Sequence, residues 1–197
     1  MTDVSLLPHR RAVIAAVALT VLAAAILLAM GRVPICTCGT VELWHGSVQS
    51  SGNSQHIADW YAPSHFSHGI IMYFFAWLLW VRWGLFSGKP TRWALPIAVL
   101  VEAAWEITEN TPMVIDRYRA VTASFGYSGD SVINSVSDIA FMTLGFLVAA
   151  RIPAWASAVL IIGLELLTLW VIRDNLTLNI VMLLWPVEAI RQWQAGG

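Results

Sequence analysis

Long apolar segments alternate with short polar ones along the chain, and this pattern predicts an all-α, polytopic transmembrane helical bundle. Residues 12–30 contain no charged side chain, and about 20 apolar residues are enough to cross a bilayer. This segment is longer than the apolar region of a cleaved signal peptide, so we interpret it as a retained signal anchor. Four further spans are predicted at about 64–81, 93–110, 131–150 and 153–172.

The last apolar stretch, residues 176–190, is short and contains Pro186. It is interpreted either as a sixth, tilted span or as a segment that lies in the membrane interface. The sequence therefore predicts a single integral membrane domain, 1–197, with five to six spans.

Composition supports this interpretation. Hydrophobic residues make up 58% of the 197 residues and charged residues 12%, against roughly 45–50% and 25% in soluble domains. Several of the 11 Trp lie near the ends of apolar segments, as in the aromatic belts of membrane proteins. The formal net charge of -1 gives no basic surface for nucleic acid.

The distribution of positive charges predicts that the N-terminus is cytoplasmic. In this orientation seven basic residues lie inside: Arg10, Arg11, Arg82, Lys89, Arg92, Arg151 and Arg191. Arg191 counts as inside only if the last apolar stretch crosses the membrane. Four lie outside: Arg32, Arg117, Arg119 and Arg173. Two long loops, 31–63 and 111–130, are then exposed at the outer face, and long loops in a compact protein are often functional.

Polar residues mark the outer half of three predicted spans. Glu102, Glu106 and Glu109 share one helix face, and so do residues spaced by four at the start of the fourth span. The second span begins with two histidines one turn apart. Ionisable groups at such a depth are costly in lipid and indicate a functional site. The candidate catalytic residues are His65, His68, Glu102, Glu106, Glu109, Asp130, Asn134 and Asp138.

Histidine and carboxylate side chains suit a divalent cation, so zinc, manganese or magnesium is a candidate cofactor. The candidate ligands are His65, His68, Glu106 and Asp138. No H-E-x-x-H motif is present. Without a metal, a His–carboxylate pair could act as general base and general acid. The remaining alternative is an internal hydrogen-bonded lattice that fixes the helices to one another.

The first outer loop contains Cys36 and Cys38, separated by one residue. An oxidising compartment favours a disulfide, a soft-metal site with His45 or His56 is the second interpretation, and free thiols are the third. Glu165, within the fifth span, could reach the polar cluster or pair with Arg173.

Several sequence strings resemble a family of uncharacterised bacterial multi-pass inner-membrane proteins: ICTCGTVELWHG, NSQHIADWYAPSHFSHG, EAAWEITENTP, GDSVINSVSDI and RDNLTLNIVMLLWPVEAI. They occur in order after the first span, and the resemblance implies an inner-membrane location. A weaker resemblance is to VanZ-like membrane proteins and implies work on lipid or lipid-linked envelope material. The residues in similar places are His65 or His68, Glu102 or Glu106, Asp130, Asn134 and Gly145, whereas Asp138 and the Cys-containing loop depart from that pattern.

Three hypotheses of function follow. The first is an enzyme at the outer face, metal-dependent or using proton transfer, that acts on an amphiphilic substrate in contact with membrane lipids. The second is a small ion-coupled carrier or channel. The third is a binding or assembly protein in which the polar cluster is structural. The oligomeric state does not follow from the sequence.

Overall fold

The computed structural model describes residues 6–122 and 126–196, and the regular elements in these ranges are all helical. A π-helical turn, Trp77–Arg82, extends α2, and an irregular 3₁₀ segment, Leu85–Trp93, leads into α3. The all-α class is therefore confirmed. The helices are α1 Arg10–Ala29, α2 Ala62–Ala76, α3 Ala94–Glu109, α4 Pro112–Val121, α5 Val132–Ala149, α6 Ala154–Ile172, α7 Leu176–Leu184 and α8 Glu188–Gln194.

Three of these helices, α1, α5 and α6, are long and apolar enough to cross a membrane. They correspond to the first, fourth and fifth predicted spans. This number is smaller than the predicted five to six, because α2 and α3 contain only 15 and 16 residues as regular α-helix. Length and composition thus support membrane association through three helices.

The two ends of the bundle differ in chemistry. At one end, here called the site end, α1 and α3 finish and α2 and α5 begin. There the Arg32 Nε donates a hydrogen bond to the Asp130 carbonyl over 3.0 Å, and the Val132 amide donates to the Val33 carbonyl over 2.8 Å. At the opposite end the His9 and Trp93 rings meet edge to face, with centroids 5.2 Å apart.

Helices α2 and α5 pack against each other through two glycines. A Cβ at Gly69 would collide with the backbone of Met142 and Phe146, and a Cβ at Gly145 would collide with the backbone of Phe66. Small residues allow this close backbone approach in membrane bundles. Next to the contact, the Tyr73 and Phe146 rings are 5.3 Å apart and almost fully buried.

The second predicted outer loop, 111–130, is partly helical, since α4 occupies most of its first half. Pro112 begins α4 at a position where a missing amide proton costs nothing. Residues 123–125 of this loop lie outside the described residues. The remainder of the loop approaches α5 and carries Tyr127 and Asp130.

The last apolar stretch is a helical hairpin and not a sixth span. Helix α7 has 9 residues, which is too short to cross a bilayer. Arg117 of α4 donates two hydrogen bonds to the Leu183 carbonyl, and the Arg173 guanidinium donates to the Trp193 carbonyl over 2.9 Å. These contacts hold α7 and α8 over the site end, so Arg191 lies there together with Arg173.

Asp174 is the buried anchor of this hairpin. Its carboxylate accepts hydrogen bonds from the Tyr61 hydroxyl over 3.3 Å, the Gln194 amide over 3.0 Å and the Asn175 backbone amide over 2.9 Å. Burial raises the pKa of Asp174 to about 6, against the lowering effect of these donors. The folded state therefore favours the protonated carboxyl group more strongly than the unfolded chain does.

Replacing Gly69 or Gly145 by alanine should destabilise the protein, because each new methyl group meets backbone that cannot rotate away. We expect a loss of about 1–3 kcal/mol in the free energy of unfolding, measured by thermal unfolding in a mild detergent. Gly163→Ala in α6 is the matched control, since a Cβ there has nothing within 4 Å. Equal melting temperatures for Gly69→Ala and Gly163→Ala would contradict the close α2–α5 contact.

Asp174 should make stability depend on pH. Because its folded pKa is raised, its contribution is fully present below the ordinary pKa of 3.8 and is lost as pH rises through about 6. We expect the melting temperature of the wild type to fall between about pH 4 and about pH 6, and Asp174→Asn to lose this part of the dependence. Asp116→Asn, at an exposed carboxylate of α4, is the control and should titrate like the wild type.

Candidate functional site

A cavity of about 320 Å³ opens at the site end between α2, α3, α5 and α7. Its walls are partly apolar, and its polar groups come from the histidine-rich start of α2, the acidic end of α3 and the start of α5. Among the described residues that line it there is no Lys and no Arg. The polar and aromatic lining residues are Asn53, Ser54, Asp59, Tyr61, Ser64, His65, His68, Glu102, Trp105, Glu109, Tyr118, Tyr127, Asp130, Asn134, Asp138 and Asn179.

Glu102 joins the two histidines of α2. Its carboxylate lies 2.7 Å from His65 Nδ1, and 3.1 and 3.2 Å from His68 Nδ1. The three residues are brought together because Ser64–His68 forms the first turns of α2 while Glu102 lies in the middle of the neighbouring α3. An ionised carboxylate only accepts hydrogen bonds, so both rings donate from Nδ1. In its neutral form each ring then carries its lone pair on Nε2.

Asp138 approaches His65 from the opposite side. Its Oδ2 lies 3.8 Å from His65 Nε2, the nitrogen that Glu102 does not contact. A histidine fixed at Nδ1 by a carboxylate and open at Nε2 is the usual arrangement of a metal ligand with its supporting partner. We call His65, His68, Glu102, Glu106 and Asp138 the inner cluster.

Glu106 is the most unusual member of the inner cluster. It is fully buried, and its Oε1 lies 3.4 Å from His65 Nδ1. Neither of its carboxylate oxygens has a hydrogen-bond partner, and Asp138 Oδ1 has none either. Buried polar atoms are normally satisfied, and an unpartnered carboxylate costs several kcal/mol. His65, Glu106 and Asp138 each offer a ligand atom, and these atoms lie within 4.8 Å of one another.

Three carboxylates meet beside the inner cluster. Glu106, Glu109 and Asp130, here called the carboxylate trio, offer oxygens within 4.8 Å of one another. Asp130 is fixed by donors, because the Asn110 amide lies 2.8 Å from Oδ2 and the Tyr127 hydroxyl 2.9 Å from Oδ1. Burial nevertheless raises the pKa of Asp130 above its usual range, although these two donors lower it.

The first outer loop is fixed to the start of α5 by hydrogen bonds. Asn134 Nδ2 donates to the His56 carbonyl over 2.9 Å, and Gln55 Nε2 donates to the Gly129 carbonyl over 2.8 Å. The Ser131 hydroxyl donates to the Gln55 carbonyl over 3.0 Å. Asn134 thus lines the cavity, and its side-chain amide also holds the first outer loop in place.

The loop histidines form a separate network. His45 lies 2.8 Å from Glu42 and 2.6 Å from the Ser50 hydroxyl through its two ring nitrogens, and His56 Nδ1 accepts the Glu42 backbone amide. Cys36 and Cys38 form a disulfide, which confirms the first of the three interpretations. Both ring nitrogens of His45 thus contact protein groups, and the sulfur atoms of Cys36 and Cys38 are bonded to each other.

Glu165 neither reaches the cavity nor pairs with Arg173 in the described structure. Its carboxylate accepts the backbone amides of Leu176 and Thr177 and the Thr177 hydroxyl, over 3.1, 3.0 and 2.7 Å. These amides belong to the first turn of α7, where backbone donors have no partner within the helix. Glu165 therefore caps α7 and fixes the direction in which the chain turns after α6.

The candidate site residues of the sequence analysis come together in the fold. All eight either line the cavity or, in the case of Glu106, contact a residue that does. Of the candidate metal ligands, His65, Glu106 and Asp138 form one group, whereas His68 is grouped with His65 and Glu102. The roles of these residues stay predictions.

Sequence reasoning missed the aromatic wall of the cavity and the amide that fixes Asp130. Trp105, Tyr118 and Tyr127 line the cavity, and Asn110 bonds Asp130. A signal for Asn110 was available, because it lies four residues after Glu106 on the same helical face. The positions of Tyr118 and Tyr127 depend on the path of the loop that carries them, and no local pattern reveals it.

Comparison with known proteins gives the family. Residues 27–196 match the family model described as "Protein of unknown function (DUF2585)". The chain is 58% identical over 194 residues to a UPF0314 protein of Novosphingobium aromaticivorans, with 98% of each chain covered. It is 59% identical over 176 residues to a UPF0314 protein of Paracoccus denitrificans, covering 89% of this chain and 88% of that one.

A UPF0314 protein of Sphingopyxis alaskensis is 60% identical over 185 residues, covering 92% of this chain and 94% of the relative. The chain therefore belongs to the UPF0314 (DUF2585) family, which confirms the resemblance to an uncharacterised bacterial family. The weaker resemblance to VanZ-like membrane proteins stays a prediction. No solved structure matches the chain.

Proposed function

We propose that the protein is a metal-dependent enzyme of the bacterial inner membrane that binds a divalent cation in the inner cluster and acts on lipid or envelope material. The observation that carries the proposal is the buried, unpartnered carboxylate of Glu106 beside His65 and Asp138. A cation coordinated there would satisfy acceptors that the described protein groups leave without a donor. The lining contains no Lys or Arg that could take this role.

The donor set favours some metals over others. A neutral imidazole nitrogen together with carboxylate oxygens suits zinc or manganese, whereas magnesium prefers oxygen ligands and retained water. His65, Glu106 and Asp138 would hold the ion, with Glu102 orienting the His65 ring through Nδ1. Zinc in such a site would lower the pKa of a bound water molecule to about 7, and any of these divalent ions would stabilise developing negative charge.

Other residues of the cavity would handle protons. His68 is partly exposed, with 21% of its side chain accessible, and is hydrogen-bonded to Glu102. Such a His–carboxylate pair can accept a proton and return it to a leaving group. Asp130, which Tyr127 and Asn110 hold in place, borders the same space.

The proposal includes a membrane arrangement. We propose that α2 with its π-helical extension and α3 cross in addition to α1, α5 and α6, as one domain with the site end at the outer face. Six basic residues then lie inside and five outside, once Arg191 is placed at the site end. The Cys36–Cys38 disulfide at the site end supports this orientation more strongly, since disulfides persist outside the cytoplasm.

Two alternatives have less support. A purely structural lattice would satisfy its own members, yet Glu106 and Asp138 retain unpartnered oxygens. An ion-coupled carrier needs a polar path to the opposite end, but fully buried apolar side chains, Ile139, Met142 and Phe146, follow Asp138 along α5.

Purified protein in a mild detergent should contain a stoichiometric amount of divalent metal, measured by plasma mass spectrometry after dialysis. The triple variant His65→Ala/Glu106→Gln/Asp138→Asn should lose it, because the three ligand groups are removed. The matched control is His45→Ala/Cys36→Ser/Cys38→Ser, which changes the outer loop alone and should keep the metal.

The proposed site would be wrong if the triple variant retained the metal, or if only the loop variant lost it. Absence of metal from correctly folded wild type would leave the structural lattice as the better account. In that case Glu106→Gln should change the folded yield and not an activity.

Metal binding should weaken as the pH falls, because protons compete for carboxylate and imidazole groups. We expect zinc affinity, measured by competition with a chromophoric chelator, to fall by at least about tenfold between about pH 7.5 and about pH 5.5. A flat profile over this range would contradict coordination by His65.

A further inference from the structure

The part of the cavity beyond the inner cluster combines acidic and aromatic side chains. Glu109 and Asp130 have oxygens within 4.8 Å of each other, and Trp105, Tyr118 and Tyr127 line the same space. The Tyr118 and Tyr127 rings meet edge to face, with centroids 5.3 Å apart. None of these groups is needed for the metal site proposed above.

The two tyrosine hydroxyls of this region already donate their protons to other protein groups. The Tyr127 hydroxyl donates to Asp130 over 2.9 Å, and the Tyr118 hydroxyl is 2.8 Å from the side-chain oxygen of Asn179. Asn53 also lines the cavity, and its side-chain oxygen is buried without a partner. These two phenolic protons are thus already used, whereas acceptor oxygens and aromatic rings of the wall are open to a ligand.

This combination suits a cationic nitrogen. Aromatic rings attract ammonium groups through their negatively charged faces, and carboxylates pair with them. A primary ammonium has three N–H donors, and Glu109 and Asp130 offer it carboxylate oxygens within 4.8 Å of each other. A headgroup with a net negative charge and no ammonium would instead face the carboxylates with no Lys or Arg in the described lining.

The cavity also reaches the apolar surface of the molecule. Val101 of α3 and Ile180 of α7 line it and are nevertheless 53% and 48% exposed. Both therefore lie at its mouth, with Met72 and Leu183 continuing the apolar wall. An aliphatic chain attached to the bound group can leave between α3 and α7 without crossing a polar barrier.

We infer that the cavity binds a phospholipid with a primary ammonium headgroup, with the nitrogen at Glu109 and Asp130 and the acyl chains leaving between α3 and α7. This names the substrate class of the proposed function and rests on it for the reaction. Recognition of the headgroup uses residues outside the proposed metal ligands, so the two can fail separately.

The test is binding of short-chain phosphatidylethanolamine to the purified protein in a nonionic detergent, measured by isothermal titration calorimetry. Phosphatidylglycerol with the same chains and free ethanolamine are the comparison ligands. We expect phosphatidylethanolamine to bind at least about tenfold more tightly than either, because the first lacks the cation and the second lacks the chains. Equal or tighter binding of phosphatidylglycerol would overturn the headgroup assignment, and equal binding of ethanolamine would overturn the assignment to a lipid.

Variants locate the site. Trp105→Leu and Glu109→Gln should each weaken phosphatidylethanolamine binding by about tenfold. Trp170→Leu is the matched control, because Trp170 is 82% exposed on α6 and does not line the cavity. Unchanged binding in both cavity variants, with folding verified by thermal unfolding, would overturn the inference.

A chelator distinguishes the two proposals. After treatment with a chelator the selectivity for phosphatidylethanolamine over phosphatidylglycerol should persist, since the ammonium contacts involve no metal. Selectivity in a protein that binds no metal would support the lipid site while refuting the metal-dependent reaction. Selectivity that disappears with the metal would overturn the assignment of the headgroup to Glu109 and Asp130.

Discussion

The close packing of α2 on α5 is the constraint on which the rest of the site depends. Because Gly69 and Gly145 have no Cβ, each helix places its surface directly on the backbone of the other. His65 lies one turn before Gly69, and Asp138 lies two turns before Gly145, so the same contact holds these two side chains 3.8 Å apart. Helix α3 then needs only to place Glu102 beside the two histidines.

This geometry concentrates negative charge where the surroundings cannot compensate it. The inner cluster and the carboxylate trio share Glu106, and two histidines are the only basic side chains among their members. Such an arrangement destabilises the folded protein, because burying a carboxylate without hydrogen-bond partners is unfavourable. Buried ionisable clusters of this kind are often functional sites, because a bound ligand can supply the interactions that the protein groups lack.

Helical periodicity and topology together are enough to predict the inner cluster from the sequence. The spacing of Glu102, Glu106 and Glu109 fixed a common face, and alternating spans placed His65 and Asp138 at the same depth. Neither argument depends on whether the last apolar stretch crosses the membrane, which the sequence left open. Pairing of Cys36 with Cys38 was likewise accessible, since it followed from compartment and proximity alone.

What the sequence could not reveal are the contacts made by segments without periodicity. Glu165 appears as a lone acid in an apolar helix, and its role depends on amides that approach only because the chain reverses after Ile172. The same reversal places α7 over the cavity, which Leu176, Asn179, Ile180 and Leu183 line. A nine-residue helix capped by a carboxylate from the preceding helix thus makes one wall of the cavity, and Ile180 of this wall is still 48% exposed. That wall is what turns a polar end of a helical bundle into a cavity that apolar side chains also line.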